Sequence, residues 1–195
     1  MKIDSIFLKF LLMKLSLLFI LFSTFSICQT WTAEELAKAN TCANINYLTK
    51  IEKEVIQYVN LARMYPAKYA KIELVDANKT TTYYKSLIKT LNTMKPVLPL
   101  SIDKKAYESA KCFALEQGPS GEIGHDRKNC ESYFFGECCS YGMASGRSVV
   151  RQLLIDEGVP SLGHREICLT AGYTAIGVSF QDHKVYGSCC VLDFV

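Results

Sequence analysis

An excess of charge of either sign is missing from this chain. Its 195 residues carry 22 Lys and Arg against 19 Asp and Glu, a net +3. Without clustered basic side chains there is no electrostatic footing for a nucleic-acid partner. Long apolar runs are missing except at the N-terminus, which excludes a polytopic membrane protein. There is no His-Glu-x-x-His helix, no Gly-x-Ser-x-Gly nucleophile elbow and no Gly-rich phosphate loop closed by Lys-Ser/Thr. Cys-x-x-Cys zinc pairs are missing too. Histidine is scarce, three residues in all, so acid–base and metal chemistry has few places to sit. Apolar residues are plentiful: 49% of the chain is hydrophobic, enough to bury a core, and the length suits one domain.

The N-terminal run stands apart from the rest. Residues Ser5 to Cys28 are almost all apolar, interrupted by Lys9 and Lys14, and the charge-free stretch Leu15 to Cys28 ends on small residues at Ser26 and Cys28. A basic start, an apolar run and small residues describe a secretory signal peptide over residues 1–28, cleaved after Cys28. Met13-Lys14 would itself make a compact start, with Met1 to Leu12 as an upstream extension. The charge-free stretch is short of the ~20 residues a span needs, so no stable membrane span is expected after cleavage. The chain is thus expected to be secreted, with an N-terminal extension over 29–48 and the main domain over 49–195.

Cleavage leaves eight cysteines: Cys42, Cys112, Cys130, Cys138, Cys139, Cys168, Cys189 and Cys190. An even count in a secreted chain predicts up to four disulfides and leaves little room for a nucleophilic thiol. Two doublets, Cys138-Cys139 and Cys189-Cys190, would each send one side chain to either face if they lie on strands, which calls for a sheet covered on both sides. Asn78-Lys79-Thr80 is a glycosylation sequon, marking a candidate glycoprotein.

The hydrophobic period predicts helices first and strands later, an α+β domain. Thr32-x-x-Glu35 opens a short helix, and Ile51, Val55, Val59 and Ala62 mark a longer one from Thr49. Pro66 starts another to about Leu74, and a further helix covers Tyr83 to Met94. Lys95 to Leu100 must be extended around its two prolines. Asp103 caps a helix ended by Gly118. A short strand covers Phe134 to Gly142, a helix Ser148 to Asp156, a loop Ser161 to Leu169, and a terminal hairpin Tyr173–Phe180 and Lys184–Val195 turns at Gln181-Asp182-His183.

Two of the three histidines, His125 and His164, follow glycine in irregular segments, and His183 sits at the hairpin turn as ordinary surface. Glu137 lies between the first two, and Asp156-Glu157 ends the intervening helix. Two imidazoles with supporting acids can make a divalent-metal site, for Zn²⁺ or another divalent cation, the carboxylates ligating directly or fixing the imidazole tautomer. If the chain is an enzyme, Glu137 is the candidate general base toward a metal-bound water. Arg165 is either an anion contact or a structural hydrogen-bond donor.

In this order the motifs resemble the CAP superfamily of cysteine-rich secretory, antigen-five and pathogenesis-related proteins (the SCP-like extracellular domain), closest to its microbial members. The carrying residues are Asn60-Leu61-Ala62-Arg63 with Pro66 and Tyr69-Ala70, then Leu98-Pro99-Leu100 before the helix carrying Ala106 and Ala110. With them go Gly124-His125, Gly136-Glu137, Ser140-Tyr141-Gly142, Gly163-His164-Arg165, and Tyr173 with Ile176-Gly177-Val178. The match spans about three quarters of the chain. It implies a three-layer α-β-α sandwich and a cleft of two histidines and two acids, here His125, Glu137, His164 and either Asp156 or Glu157. Members of the family bind divalent metals, sterols or fatty acids, and a few act as proteases, so a metal or small-ligand cleft, a metal-dependent hydrolase and a lipid carrier are all expectations of the resemblance. The chain departs from the pattern at Cys138-Cys139 and at Ile167-Cys168, where the family carries Asn followed by an aliphatic residue. The departure leads us to expect a bond from Cys138 or Cys139 to Cys168.

Overall fold

The computed structural model describes residues 29–75 and 80–195. The expected leader (1–28) and the sequon asparagine Asn78 lie outside the described residues. Among the described residues, no helix is long and apolar enough to cross a membrane.

Local chemistry sets the first elements. Helix α1 (Ala33–Ala39) opens on a capping box, with Thr32 and Glu35 satisfying each other's main-chain N–H groups. Helix α2 (Lys50–Met64) repeats the device with Thr49 and Glu52 and buries Val55, Ile56, Val59 and Ala62 along one stripe. Pro66 starts α3 (Pro66–Glu73), where its missing N–H leaves no bond unmade, and α4 (Thr82–Thr93) follows. Next come β1 (Ser101–Ile102) and α5 (Lys104–Ser120), the helix capped by Asp103, which accepts from Ala106 N at 2.8 Å. The chain ends with β2 (Gly136–Tyr141), α6 (Gly146–Ile155), α7 (Gly163–Leu169), β3 (Ala175–His183) and β4 (Gly187–Phe194). The 31–48 segment packs into the same core as the rest of its unit: Ala39 and Cys42 are fully buried, and Trp31 Nε1 donates to Glu73 at 2.7 Å.

The domain is α+β, with a mixed four-stranded sheet in the order β1-β3-β4-β2; β1 runs parallel to β3 and the other pairs are antiparallel. On one face α5 sets Ala110, Phe113 and Ala114 against Cys139, Cys189 and Val191. On the other, α2, α6 and α7 bury Val59, Val149, Leu153 and Cys168 with Cys138, Cys190 and Leu192. Each cysteine doublet therefore divides between the two faces, as strand pleating requires. Helix α5 lies so close to β3 that a Cβ at Gly177 would fall 2.0 Å from the main chain of Ala106 and Tyr107.

Several expectations are corrected. Helix α5 does not end at Gly118; it runs to Ser120 and closes on Gly121 in the left-handed region (φ 76°). Gly118 instead lets the end of β3 approach, since a Cβ there would meet Asp182 O at 2.3 Å. Residues 163–169 form α7 rather than a loop, because its capping group, the Asp156 carboxylate, arrives from outside the segment. The hairpin turns after His183, so His183 is not surface. It is 3% exposed, its Nδ1 accepting from Val185 N and Tyr186 N and its Nε2 facing Glu122 O at 2.9 Å.

The disulfide expectation is corrected as well. Among the described residues one bridge forms, Cys112–Cys130, and Cys42, Cys138, Cys139, Cys168, Cys189 and Cys190 are buried thiols. Strand register explains why the doublets do not join: Cys189 and Cys190 of β4 stand opposite Tyr141 and Ser140, while Cys138 and Cys139 of β2 stand opposite Leu192 and Val191. Cys138 and Cys168 are neighbouring free thiols without a bond, and Cys138 Sγ faces His164 O at 3.7 Å.

Candidate metal centre

Two halves of the fold each present one imidazole. The first half is the loop between α5 and β2, tied to α5 by Cys112–Cys130. Gly124 adopts φ 104°, a conformation open to glycine, and its main chain is pinned on both sides: its N–H donates to Tyr141 Oη at 2.9 Å and its carbonyl accepts from Gln117 Nε2 at 2.7 Å. His125 is thereby placed over β2, with Nδ1 2.7 Å from Glu137 Oε1. That hydrogen bond raises the His125 pKa above its ordinary value, against the opposing effect of burial.

The second half is the junction of α6 and α7. Asp156 ends α6 in the left-handed region (φ 57°, ψ 41°), a conformation that Asp tolerates better than most residues. Its Oδ1 lies 2.7 Å from His164 Nδ1, while Oδ2 accepts from His164 N at 3.0 Å and Arg165 N at 3.3 Å. One carboxylate thus caps α7 and orients its imidazole. Glu157, the alternative second acid, is exposed at the cleft edge. Arg165 is a structural donor: its guanidinium is spent on Leu154 O, Ile155 O, Tyr83 O and Ser86 Oγ.

The two rings come together with centroids 6.1 Å apart. In both, Nδ1 faces a buried carboxylate and donates to it, which leaves the Nε2 lone pair as the free donor. This carboxylate–imidazole pattern is the one that holds ligating histidines in register for a metal. Beside the rings opens a cleft of about 530 Å³ lined by Cys139, Tyr141, Ser148, Gln152, Asp156 and His164. Donor atoms of His125, Glu137 and Cys139 also lie within 4.8 Å of one another, a group able to hold a metal ion. No protein-family model matches the chain, and no curated protein does.

Two residues that sequence reasoning missed stand behind Glu137. Arg127 donates through Nε to Glu137 Oε2 at 2.9 Å and through Nη2 to both Asp193 oxygens at 3.0 and 2.9 Å. Its guanidinium is sandwiched between the rings of Phe113 and Phe134, 4.5 and 4.8 Å from their centroids. Ser109 Oγ donates to Asp193 at 2.6 Å. Asp193 was detectable as a lone acid inside the apolar run Val191 to Phe194; Arg127 was hidden in the polar stretch Asp126 to Asn129.

Asp193 is fully buried, and one guanidinium serves two carboxylates. Burial pushes Asp193 up to about 7. Between its ordinary value of about 3.9 and this one, the folded chain holds a proton that the unfolded chain releases. Its contribution to stability is therefore full below about pH 4 and lost as pH rises through about 7. His125, also raised, acts in the same direction. Stability is expected to fall by about 3 kcal/mol from Asp193 alone between pH 5 and 8. Asp193→Asn should flatten that slope in urea titrations; equal slopes in the two proteins would refute the assignment.

Proposed function

We propose that the chain is a secreted CAP-superfamily protein that binds a divalent cation, Zn²⁺ or a similar ion, in the cleft between His125 and His164. The observation carrying the reading is the paired geometry: two imidazoles 6.1 Å apart, each with Nδ1 2.7 Å from a buried carboxylate. An ion held tetrahedrally by two Nε2 atoms at about 2.0 Å sets the ring centroids about 5 Å apart, so the rings would close by roughly an ångström to hold it. His125 and His164 would hold the ion, and Glu137 and Asp156 would fix their tautomers. The bound ion supplies a Lewis acid in the cleft. Helices on both faces of the sheet support the three-layer α-β-α sandwich of that family, and the Gly124-His125, Gly136-Glu137 and Gly163-His164-Arg165 motifs all fall at the site.

Binding is favoured over hydrolysis by the position of Glu137. Both of its oxygens are engaged, one by His125 and one by Arg127, and its side chain is 3% exposed, so a general-base role would require it to release a partner. A lipid-carrier reading draws support from a separate apolar cleft of about 700 Å³, lined by Met64, Tyr65, Val97, Leu98 and Tyr173.

Calorimetry with Zn²⁺ tests the reading. The wild type should bind one ion, and His125→Ala and His164→Ala should each weaken binding at least tenfold. Titrations of both variants indistinguishable from wild type would remove the metal, a loss confined to His125→Ala would remove the two-imidazole seat alone, and sterol retention unchanged by either substitution would then favour the carrier.

A further inference from the structure

His125 turns its two nitrogens toward different neighbours. Nδ1 faces Glu137 Oε1 at 2.7 Å and, on the same side, Cys139 Sγ at 3.9 Å. Glu137 and Cys139 are two residues apart on β2, so strand alternation brings a carboxylate and a thiol to one face beneath the ring. Around a tetrahedral zinc-class ion, with metal–nitrogen near 2.0 Å and metal–sulfur near 2.3 Å, nitrogen and sulfur stand about 3.6 Å apart. The Nδ1–Sγ separation is a few tenths of an ångström from that. Nδ1 and Oε1 must part by about half an ångström, a small rotation of the Glu137 carboxyl about the oxygen that Arg127 holds. Cys139 also lines the cleft beside His164, which leaves a fourth position facing that space. Oxygen-seeking Mg²⁺ and Ca²⁺ gain nothing from sulfur, whereas a thiolate–imidazole set selects Zn²⁺ and its heavier congener.

We propose that His125 Nδ1, Glu137 Oε1 and Cys139 Sγ form a three-donor seat for a thiophilic divalent cation of the zinc–cadmium class. It goes beyond the two-imidazole reading, since it uses the other nitrogen of His125 and leaves His164 out. On loading, metal–nitrogen, metal–oxygen and metal–sulfur bonds form. The imidazole proton passes from Nδ1 to Nε2 through solvent, the thiol proton leaves to water, and no oxidation state changes. With Nε2 protonated, His125 no longer serves the two-imidazole seat, so the two seats exclude each other.

The experiment titrates the chain from residue 29 on, with the Cys112–Cys130 bridge intact, with Co²⁺ and Cd²⁺, following the sulfur-to-metal charge-transfer absorption, with Ca²⁺ as competitor. The expected result is a band saturating at one ion per chain, unaffected by excess Ca²⁺, kept in His164→Ala and lost in Cys139→Ser with at least a tenfold weaker affinity. X-ray absorption on the Cd²⁺-loaded wild type, which needs no substitution, should show a single sulfur neighbour. A band that survives Cys139→Ser, or a metal shell without sulfur, overturns the seat. Binding without the band that is abolished by His164→Ala overturns it while leaving the two-imidazole reading intact, and no binding at all ends both.

Discussion

Arg127→Met is expected to lower stability by about 3–5 kcal/mol and to abolish cation binding at the cleft. Methionine keeps most of the stem length between Phe113 and Phe134, so the packing loss is small. What disappears is the positive charge shared by Glu137 and Asp193, whose side chains are 3% and 0% exposed. Removing Arg127 leaves the buried Glu137 carboxylate uncompensated and strips Asp193 of its donor, and that is the source of the large cost. Glu137 would then rotate away and stop orienting His125. Urea unfolding of the single variant gives the magnitude. The double variant Arg127→Met/Asp193→Asn should recover part of the loss, because one of the two orphaned acids is gone. A single variant within 1 kcal/mol of wild type would show that the cluster does not hold the loop.

Gly177→Ala should cost more than about 3 kcal/mol, at the upper end of what overpacking produces. The new Cβ would stand 2.0 Å from Ala106 C and Tyr107 N and 2.4 Å from Ala106 O, all main-chain atoms with no side-chain torsion to relieve the clash. Helix α5 has to lift from β3, carrying with it Ser109, which bonds Asp193, and Gln117, which pins Gly124. Thermal melts should show the loss together with weakened cation binding. Gly172→Ala, with no atom near its Cβ, serves as the control and should change stability by less than about 1 kcal/mol. Equal melting points for the two variants would contradict this packing.

Much of the scaffold was legible because its signals are local. Thr49 with Glu52, Pro66, and Asp103 each sit where a helix begins, and the apolar stripe of α2 repeats at the helical period. The split of each cysteine doublet across the sheet followed from pleating alone. The failures share a cause: the deciding partner is remote in sequence. Helix α7 depends on the Asp156 carboxylate outside the segment, Gly118 answers to Asp182, and His183 is turned inward onto Glu122 O, 61 residues away. At the site, spacing supplied His125, Glu137 and His164. It could not separate Asp156 from Glu157, since which of two adjacent acids turns inward is set by the left-handed backbone at Asp156. Arg127 and Asp193 stand 66 residues apart and meet only once β4 is in place beside β2.

The six buried thiols among the described residues make the molecule its own opening gauge. Burial holds Cys42 and Cys189 near a pKa of about 11 and Cys190 well above the ordinary range, so an alkylating reagent meets almost no thiolate while the fold is shut. Labelling at Cys190, under the central strand, is paced by whole-molecule excursions, whereas labelling at Cys139 is paced by fluctuations at the cleft wall. The ratio of the two rates reports how far the cleft breathes independently of the body that carries it.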